Sequence, residues 1–144
     1  MRRLPVYLLL DCSGSMFGEP IQAVENGVKV LVSTLRSDPY ALETAYLSII
    51  TFDSTARQTV PLTELAQFQE PTLTASGCTA LGEALTVLSE CVDREVTKTT
   101  PQKKGDWKPL VFIMTDGEPT DDLIKGLEEL RKRKFGMVVA CAAR

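Results

Sequence analysis

Two short runs of consecutive apolar residues constrain the fold of this chain more than any other feature. Residues 8–10 are all leucine, and residues 110–114 read Leu-Val-Phe-Ile-Met. A strand with one solvated face alternates apolar and polar residues, whereas a strand buried on both faces is apolar throughout, as in parallel sheets. The two runs therefore predict central strands of a parallel sheet that is covered on both faces.

Strand and helix patterns alternate along the rest of the chain. Five strands are predicted, of which the third is a short antiparallel edge strand, over residues 5–10, 44–52, 57–61, 110–115 and 135–142. Three helices are predicted from apolar residues spaced three and four apart; they follow Gly18, Thr79 and Thr120, and residues 37–39 are expected to end the first. This order predicts a doubly wound α/β domain with a mostly parallel central sheet and helices on both faces.

Length and charge limit the class of protein further. The chain has 144 residues, close to the commonest domain size, so residues 1–144 are expected to form a single domain. Its net charge of −3 gives no reason to expect nucleic acid or an anionic membrane as a partner. The apolar segment that begins at Leu4 ends at Asp11, too early for a membrane span or a signal peptide, so a cytoplasmic location is expected.

The absence of histidine restricts the chemistry that the chain can perform. Zinc sites of the usual Cys/His kind and histidine-activated nucleophiles are excluded in their common forms. The four cysteines show no C-x-x-C pairing, so reduced and mostly buried thiols are expected at Cys12, Cys78, Cys91 and Cys141.

Oxygen-bearing side chains follow two of the predicted strands and precede one helix. Asp11, Ser13 and Ser15 come directly after the first apolar run, and Asp116 follows the second. Thr79 ends a small-residue loop that contains Gly77. Because the carboxyl ends of parallel strands meet at one edge of a sheet, we expect these side chains to converge there. A set of oxygen ligands suits a hard divalent cation such as Mg²⁺.

These residues resemble the metal-ion-dependent adhesion site of von Willebrand factor A domains. The family motif Asp-x-Ser-x-Ser corresponds to residues 11–15, its separate threonine to Thr79, and its Thr-Asp-Gly strand end to residues 115–117. The resemblance covers essentially the whole chain. It implies that Ser13, Ser15 and Thr79 bind Mg²⁺ directly, with Mn²⁺ or Ca²⁺ as other candidates, and that Asp11 and Asp116 act through water.

The same resemblance implies a function in protein binding rather than catalysis. A cation held by neutral hydroxyls keeps much of its charge and accepts a carboxylate from a partner protein. More narrowly, residues 2–7, 38–43 and 49–53 look like those of bacterial TerY-type tellurium resistance proteins. That likeness implies a role in tellurite or metal stress, with phosphorylation enzymes or other tellurium resistance proteins as partners.

The carboxyl-terminal end departs from the family pattern. Related domains continue with another strand and a closing helix, whereas this sequence stops at Arg144. We therefore expect a truncated form or a partner at this side, because residues 137–141 would leave an apolar edge strand able to pair with another chain. Self-association through that edge is one expectation.

Other interpretations of the same residues remain open. A metal-dependent phosphohydrolase could use Asp11 as nucleophile, although Ser13 stands where such enzymes carry a second acid. Nucleotide binding is disfavoured because neither common glycine-rich phosphate motif is present. Taken singly, Asp11 with Ser13 could form a turn, Thr79 could cap its helix, and Asp116 with Gly117 could be a turn pair.

Two further features have ordinary structural interpretations. Trp107, in a polar loop predicted over residues 97–108, is expected to anchor that loop, with a partner contact as the alternative. The basic run at residues 131–134 is expected to complement the end of a helix rather than to bind phosphate. Asp121 and Asp122 are expected to charge the start of that helix.

Overall fold

The computed structural model describes residues 2–115 and 121–142, and this part of the chain forms one five-stranded sheet with helices. The strands are β1 (Leu4–Asp11), β2 (Ala45–Phe52), β3 (Ala56–Glu64), β4 (Leu110–Thr115) and β5 (Met137–Ala142). The helices are α1 (Glu19–Arg36), α2 (Pro39–Thr44), α3 (Leu81–Glu95) and α4 (Leu123–Arg131). Short 3-10 turns lie at Gly14–Met16 and Leu65–Gln67.

The sheet has the strand order β3-β2-β1-β4-β5. Strands β2, β1, β4 and β5 are parallel, and β3 pairs antiparallel with β2 at one edge. The predicted α/β class, the mostly parallel sheet and the single antiparallel edge strand are therefore confirmed. Strand β3 is longer than the predicted residues 57–61, because its pairing with β2 continues to Glu64 through irregularities in register.

The central strand β1 supplies side chains to two separate hydrophobic cores. Val6, Leu8 and Leu10 pack in the core that includes the buried face of α1. Tyr7 and Leu9 pack in the core beneath α3 and α4. Each fully buried leucine stabilises the fold by roughly 1.5–3 kcal/mol relative to an exposed one. The continuous apolar run thus reflects burial on both faces, as predicted.

The hydroxyl of Tyr7, in the second core, has a hydrogen-bond partner. Tyr7 is buried, and its hydroxyl donates to Glu95 Oε1 at 3.0 Å. The same carboxylate accepts from Gln58 Nε2 at 2.8 Å and from the backbone N–H of Leu62 at 3.0 Å. Burial, followed by the charge of Glu95, raises the pKa of Tyr7, so its hydroxyl remains a donor. These bonds attach the end of α3 to β1 and β3.

Helix α2 was not predicted. Helix α1 ends at Arg36, directly before residues 37–39 as predicted, but Pro39 also occupies the first turn of α2, where the missing N–H costs no hydrogen bond. The side chain of Asp38 caps this helix, accepting from the backbone N–H groups of Tyr40 at 2.9 Å and Ala41 at 3.4 Å. Thr44, predicted to begin the second strand, instead ends α2. The Asp-Pro pair therefore starts a new helix directly after α1.

The final strand lies at the second edge of the sheet. β5 pairs with β4 alone among the described strands and begins at Met137, two residues later than predicted. Met137 and Val138 are exposed large apolar residues of this strand. The expected apolar edge is therefore present among the described residues.

Candidate metal centre

The carboxylate of Asp11 organises one edge of the sheet. Strands β1, β2 and β4 end together here, at Asp11, Phe52 and Thr115, and we call this the carboxyl edge. Asp11 is fully buried. Its Oδ1 accepts from the backbone N–H of Ser13 at 2.8 Å, and its Oδ2 accepts from Thr115 Oγ1 at 2.6 Å. One side chain therefore fixes the loop after β1 against the end of β4.

The two serines of this loop lie side by side. Ser13 Oγ and Ser15 Oγ are 3.1 Å apart, with Ser13 buried and Ser15 exposed. Ser13 precedes the 3-10 turn but makes no side-chain cap to it. Buried Met16 anchors this turn in the first core. The loop therefore presents two neighbouring hydroxyl oxygens at the carboxyl edge.

The loop that carries Thr79 is attached to the serine loop through backbone groups. Ser76 N donates to the carbonyl of Cys12, and Gly14 N donates to the carbonyl of Gly77, each at 2.9 Å. Ala80 N donates to the carbonyl of Asp53 at 2.8 Å. Thr79, between these attachments, is buried. The structure therefore brings the Thr79 loop against the loop of Asp11, Ser13 and Ser15.

Gly77 allows the Thr79 loop to pack closely against the turn between β2 and β3. Its φ of +79° is one that residues with a Cβ rarely adopt, and an added Cβ would lie 2.5 Å from Ser54 Oγ. That hydroxyl accepts from the backbone N–H of Cys78 at 3.1 Å. Glycine at this position therefore permits the contact between the two segments.

The helix after Thr79 is not capped by Thr79. The residue before the first turn of α3 is Ala80, which provides no side-chain cap. Instead Asp121 accepts from the backbone N–H groups of Gly82 at 2.9 Å and Glu83 at 2.8 Å. Asp122 caps α4 through Lys125 N at 3.2 Å, as its predicted helix-start position requires. Asp121 therefore serves a neighbouring helix, which the sequence pattern alone does not indicate.

The fifth predicted ligand, Asp116, lies outside the described residues, together with Gly117. Its predecessor Thr115 is described and donates to Asp11. Sequence reasoning placed Thr115 in the strand-end motif but did not anticipate this bond. Within residues 2–115 and 121–142, no group of three acidic or cysteine side chains is arranged to hold a metal ion.

The geometry of the hydroxyl pair fits a small divalent cation. Adjacent ligands of octahedral Mg²⁺, each at about 2.1 Å, lie about 3.0 Å apart. The separation of 3.1 Å between Ser13 Oγ and Ser15 Oγ is close to that value. Each oxygen of Asp11 already accepts one hydrogen bond, which fixes the orientation of this carboxylate. The donors present are thus oxygen only, as Mg²⁺ prefers.

The cysteine beside the site is not a reactive thiol. Burial, followed by the charges of Asp11 and Asp53, raises the pKa of Cys12 to about 11. All four cysteines are free; Cys12 and Cys91 are buried, Cys141 is half-buried and Cys78 is exposed. The expectation of mostly buried thiols holds for the first two alone.

Comparison with known proteins identifies the family. The model of the von Willebrand factor type A domain matches residues 6–142, so the chain belongs to this family, whose members commonly act as protein-interaction modules and are mostly non-enzymatic. A comparison with curated protein sequences finds no match.

Solved structures share the fold at low identity. A von Willebrand factor type A protein from Catenulispora acidiphila is 19% identical with a TM-score of 0.68, covering 98% of this chain and 33% of its own. Proximal thread matrix protein 1 of the mussel byssus is 21% identical with a TM-score of 0.72, and the match covers 98% of this chain and 38% of that protein. The pilus adhesin SpaC of Lactobacillus rhamnosus GG is 20% identical with a TM-score of 0.64, and the match covers 83% of this chain and 15% of that protein. This chain therefore spans well under half the length of these three proteins.

No helix in the described part of the chain is both long and apolar enough to cross a membrane.

Proposed function

We propose that this chain is a metal-dependent protein-binding module whose cation is held by Asp11, Ser13, Ser15, Thr79 and Asp116. The observation that carries the proposal is the pair of serine hydroxyls, 3.1 Å apart, in a loop fixed by a buried carboxylate. When bound, Mg²⁺ or Mn²⁺ supplies a positively charged coordination position for a partner's carboxylate. The fold relationship to a pilus adhesin is consistent with a binding function.

The residues of this chain perform distinct tasks in the proposal. Ser13 and Ser15 present neutral oxygens, which leave the charge of a cation largely uncompensated. Asp11 orients Ser13 through the backbone bond at 2.8 Å and orients Thr115 through the bond at 2.6 Å. Thr115 in turn precedes Asp116 in the sequence. Thr79 belongs to a loop that two backbone bonds attach to the serine loop.

Isothermal titration with MgCl₂ tests the proposal. We expect the wild-type chain to bind Mg²⁺ and the Ser13→Ala/Ser15→Ala variant to lose at least about tenfold in affinity, since two direct ligands are removed. Ser33→Ala is the matched control, because Ser33 is an exposed serine on α1, far along the chain from the loop. Equal affinity of wild type and the double variant would contradict the proposal.

Asp11 also separates the proposal from its catalytic alternative. A phosphohydrolase that uses Asp11 as nucleophile needs an accessible carboxylate oxygen, yet Asp11 is fully buried and both of its oxygens accept hydrogen bonds. The alternative predicts hydrolysis of p-nitrophenyl phosphate with Mg²⁺ and its loss in Asp11→Asn. We expect no turnover by either protein above the rate of a blank.

The narrower proposal concerns the biological setting. We propose a cytoplasmic role in tellurite or metal stress, supported by the likeness of residues 2–7, 38–43 and 49–53 to TerY-type proteins. A pull-down from bacterial lysate in Mg²⁺, compared with one in EDTA, tests it. Phosphorylation enzymes or tellurium resistance proteins should be recovered in Mg²⁺ and lost both in EDTA and with the Ser13→Ala/Ser15→Ala bait. Recovery of the same proteins by all baits would contradict the proposal.

A further inference from the structure

A basic groove lies at the end of the sheet opposite the proposed metal centre. It occupies about 490 Å³ among the end of α3, the segment before β4 and the segment after α4. We call this end, where β1, β4 and β5 begin, the amino edge. Its apolar lining residues include Val92, Val96, Pro109 and Trp107.

The charge of this groove is opposite to the net charge of the chain. Five cationic side chains line it against two acidic ones: Lys98, Lys108, Lys132, Arg133 and Lys134 against Asp93 and Asp106. The carboxyl-terminal ends of α3 and α4 contribute about half a negative charge each, which offsets only one of the three excess positive charges. The chain as a whole carries a net charge of −3. The groove is therefore a local positive region on an acidic protein.

Internal ion pairs explain only part of this cluster. Arg133 pairs with Asp93 at 2.6 Å, and Lys132 pairs with Glu129 at 3.1 Å. By contrast, Lys98, Lys108 and Lys134 are exposed, and none forms an ion pair with a described residue of the chain. The complement to the end of α4, expected for the basic run, comes from Arg131 in its last turn and from Arg133, which donates to the carbonyl of Glu129.

We propose that the groove binds an acidic peptide segment of a partner protein that also carries apolar side chains. The lysines provide charge complementarity to the acidic groups, and the apolar lining residues, Trp107 included, accommodate the apolar ones. The concave shape favours an inserted chain over the flat surface of a lipid bilayer. This surface lies outside the proposed metal centre and does not depend on a bound cation.

Trp107 makes the proposal directly measurable. It is the only tryptophan of the chain, it is 44% exposed, and the guanidinium of Arg2 lies 3.9 Å from its ring centroid. The backbone N–H of Trp107 donates to the carbonyl of Arg3 at 2.9 Å, so the residue is held in place. Its fluorescence therefore reports on ligands that bind beside it, in this groove or in the neighbouring one that it lines with Arg2, and Lys134 lines the first groove but not the second.

The experiment is a fluorescence titration in EDTA with a short peptide of alternating glutamate and leucine. We expect a saturable change in Trp107 emission. Binding should be roughly tenfold weaker in Lys108→Glu/Lys134→Glu; two lysines are reversed together because each exposed charge pair contributes little alone. Lys29→Glu/Lys125→Glu is the control of equal charge change, since both lysines are exposed and lie outside the groove. Far-UV circular dichroism spectra of all variants should match that of the wild type if they are folded.

Several outcomes would overturn the proposal. If both double variants weaken peptide binding equally, the attraction depends on net charge and not on the groove. If a peptide of alternating lysine and leucine binds as well, the groove does not recognise acidic groups. Equal or tighter binding of inorganic tripolyphosphate or of phosphatidylserine vesicles would assign the surface to another class of ligand. Because EDTA is present throughout, these outcomes leave the metal-dependent function untouched, and loss of Mg²⁺ binding in the earlier titration leaves the groove untouched.

Discussion

The two ends of the sheet are held together by different kinds of interaction. At the carboxyl edge, backbone bonds join the loops, from Gly14 N to Gly77 O and from Ser76 N to Cys12 O, beside the bonds to Asp11. At the amino edge, the guanidinium of Arg3 binds both carboxylate oxygens of Asp106, at 3.0 and 2.6 Å. We therefore expect removal of the Ser13 and Ser15 hydroxyls to cost less stability than removal of the guanidinium that pairs with Asp106.

The largest expected effect tests the amino edge. Asp106 has a side chain only 6% exposed, and it also accepts from the backbone N–H of Thr97 at 2.8 Å. Arg3→Ala leaves this carboxylate without its cation, so we expect a loss of about 2–3 kcal/mol in the free energy of unfolding. Urea denaturation measures it. Arg131→Ala, which removes an exposed arginine from the end of α4, should change the free energy by less than about 0.5 kcal/mol. If Arg3→Ala and Arg131→Ala lose similar stability, the pairing with Asp106 is not what stabilises the amino edge.

The second prediction tests backbone packing at the carboxyl edge. Gly77→Ala introduces both a positive φ and a contact with Ser54 Oγ, so we expect a loss of about 1–2 kcal/mol. Gly18→Ala is the control, because Gly18 has a φ of +88° but no atom within 4 Å of the added Cβ. Its loss measures the cost of a positive φ without a steric contact. If adding Ser54→Ala does not reduce the loss at Gly77, close packing against Ser54 is not its cause.

The third prediction concerns pH and sharpens the account of the amino edge. Burial alone would raise the pKa of Asp106, but the hydrogen bonds from Arg3 and from Thr97 N outweigh it and lower the pKa below its ordinary value of 3.8. The resulting stability is present above that value and is lost as the pH falls below it. Acid titration of unfolding should therefore be shallower in Asp106→Asn than in wild type, by at most about 1.4 kcal/mol per pH unit. If stability falls with decreasing pH equally steeply in wild type and in Asp106→Asn, Asp106 does not contribute to the pH dependence.

The smallest expected effect is at the hydroxyl pair. Without metal, Ser13→Ala/Ser15→Ala loses the contact between the two hydroxyls, so we expect a decrease of only about 0.5–1 kcal/mol in the free energy of unfolding. In Mg²⁺ at a hundred times its dissociation constant, wild type should gain about 2.7 kcal/mol that the variant lacks. Thermal denaturation with and without MgCl₂ measures both quantities. A large loss in EDTA would show that these hydroxyls hold the edge together.

The sheet was predictable because each of its strands carries a local signal. The run at residues 110–114 is apolar at every position and forms strand β4, in which Val111 and Ile113 are buried and the alternate residues are half-buried. Helix α2 was missed because Asp38 and Pro39 stop one helix and start another with the same chemistry. The bond from Thr115 to Asp11 joins residues 104 positions apart, so no local pattern indicates it. The proposed metal-binding roles of Ser13, Ser15, Thr79 and Asp116 stay predictions.

The position of Asp11 at the end of β1 links the proposed site to the folding of the whole domain. Since β1 contributes to both hydrophobic cores, we expect opening of the loop after it to be coupled to both. A ligand captured by this loop would therefore oppose global rather than local opening. Hydrogen exchange of the β1 amides should slow on Mg²⁺ binding by the same factor as the slowest-exchanging amides of α1 and α3. The central strand would then couple occupancy at its tip to the lifetime of the native state.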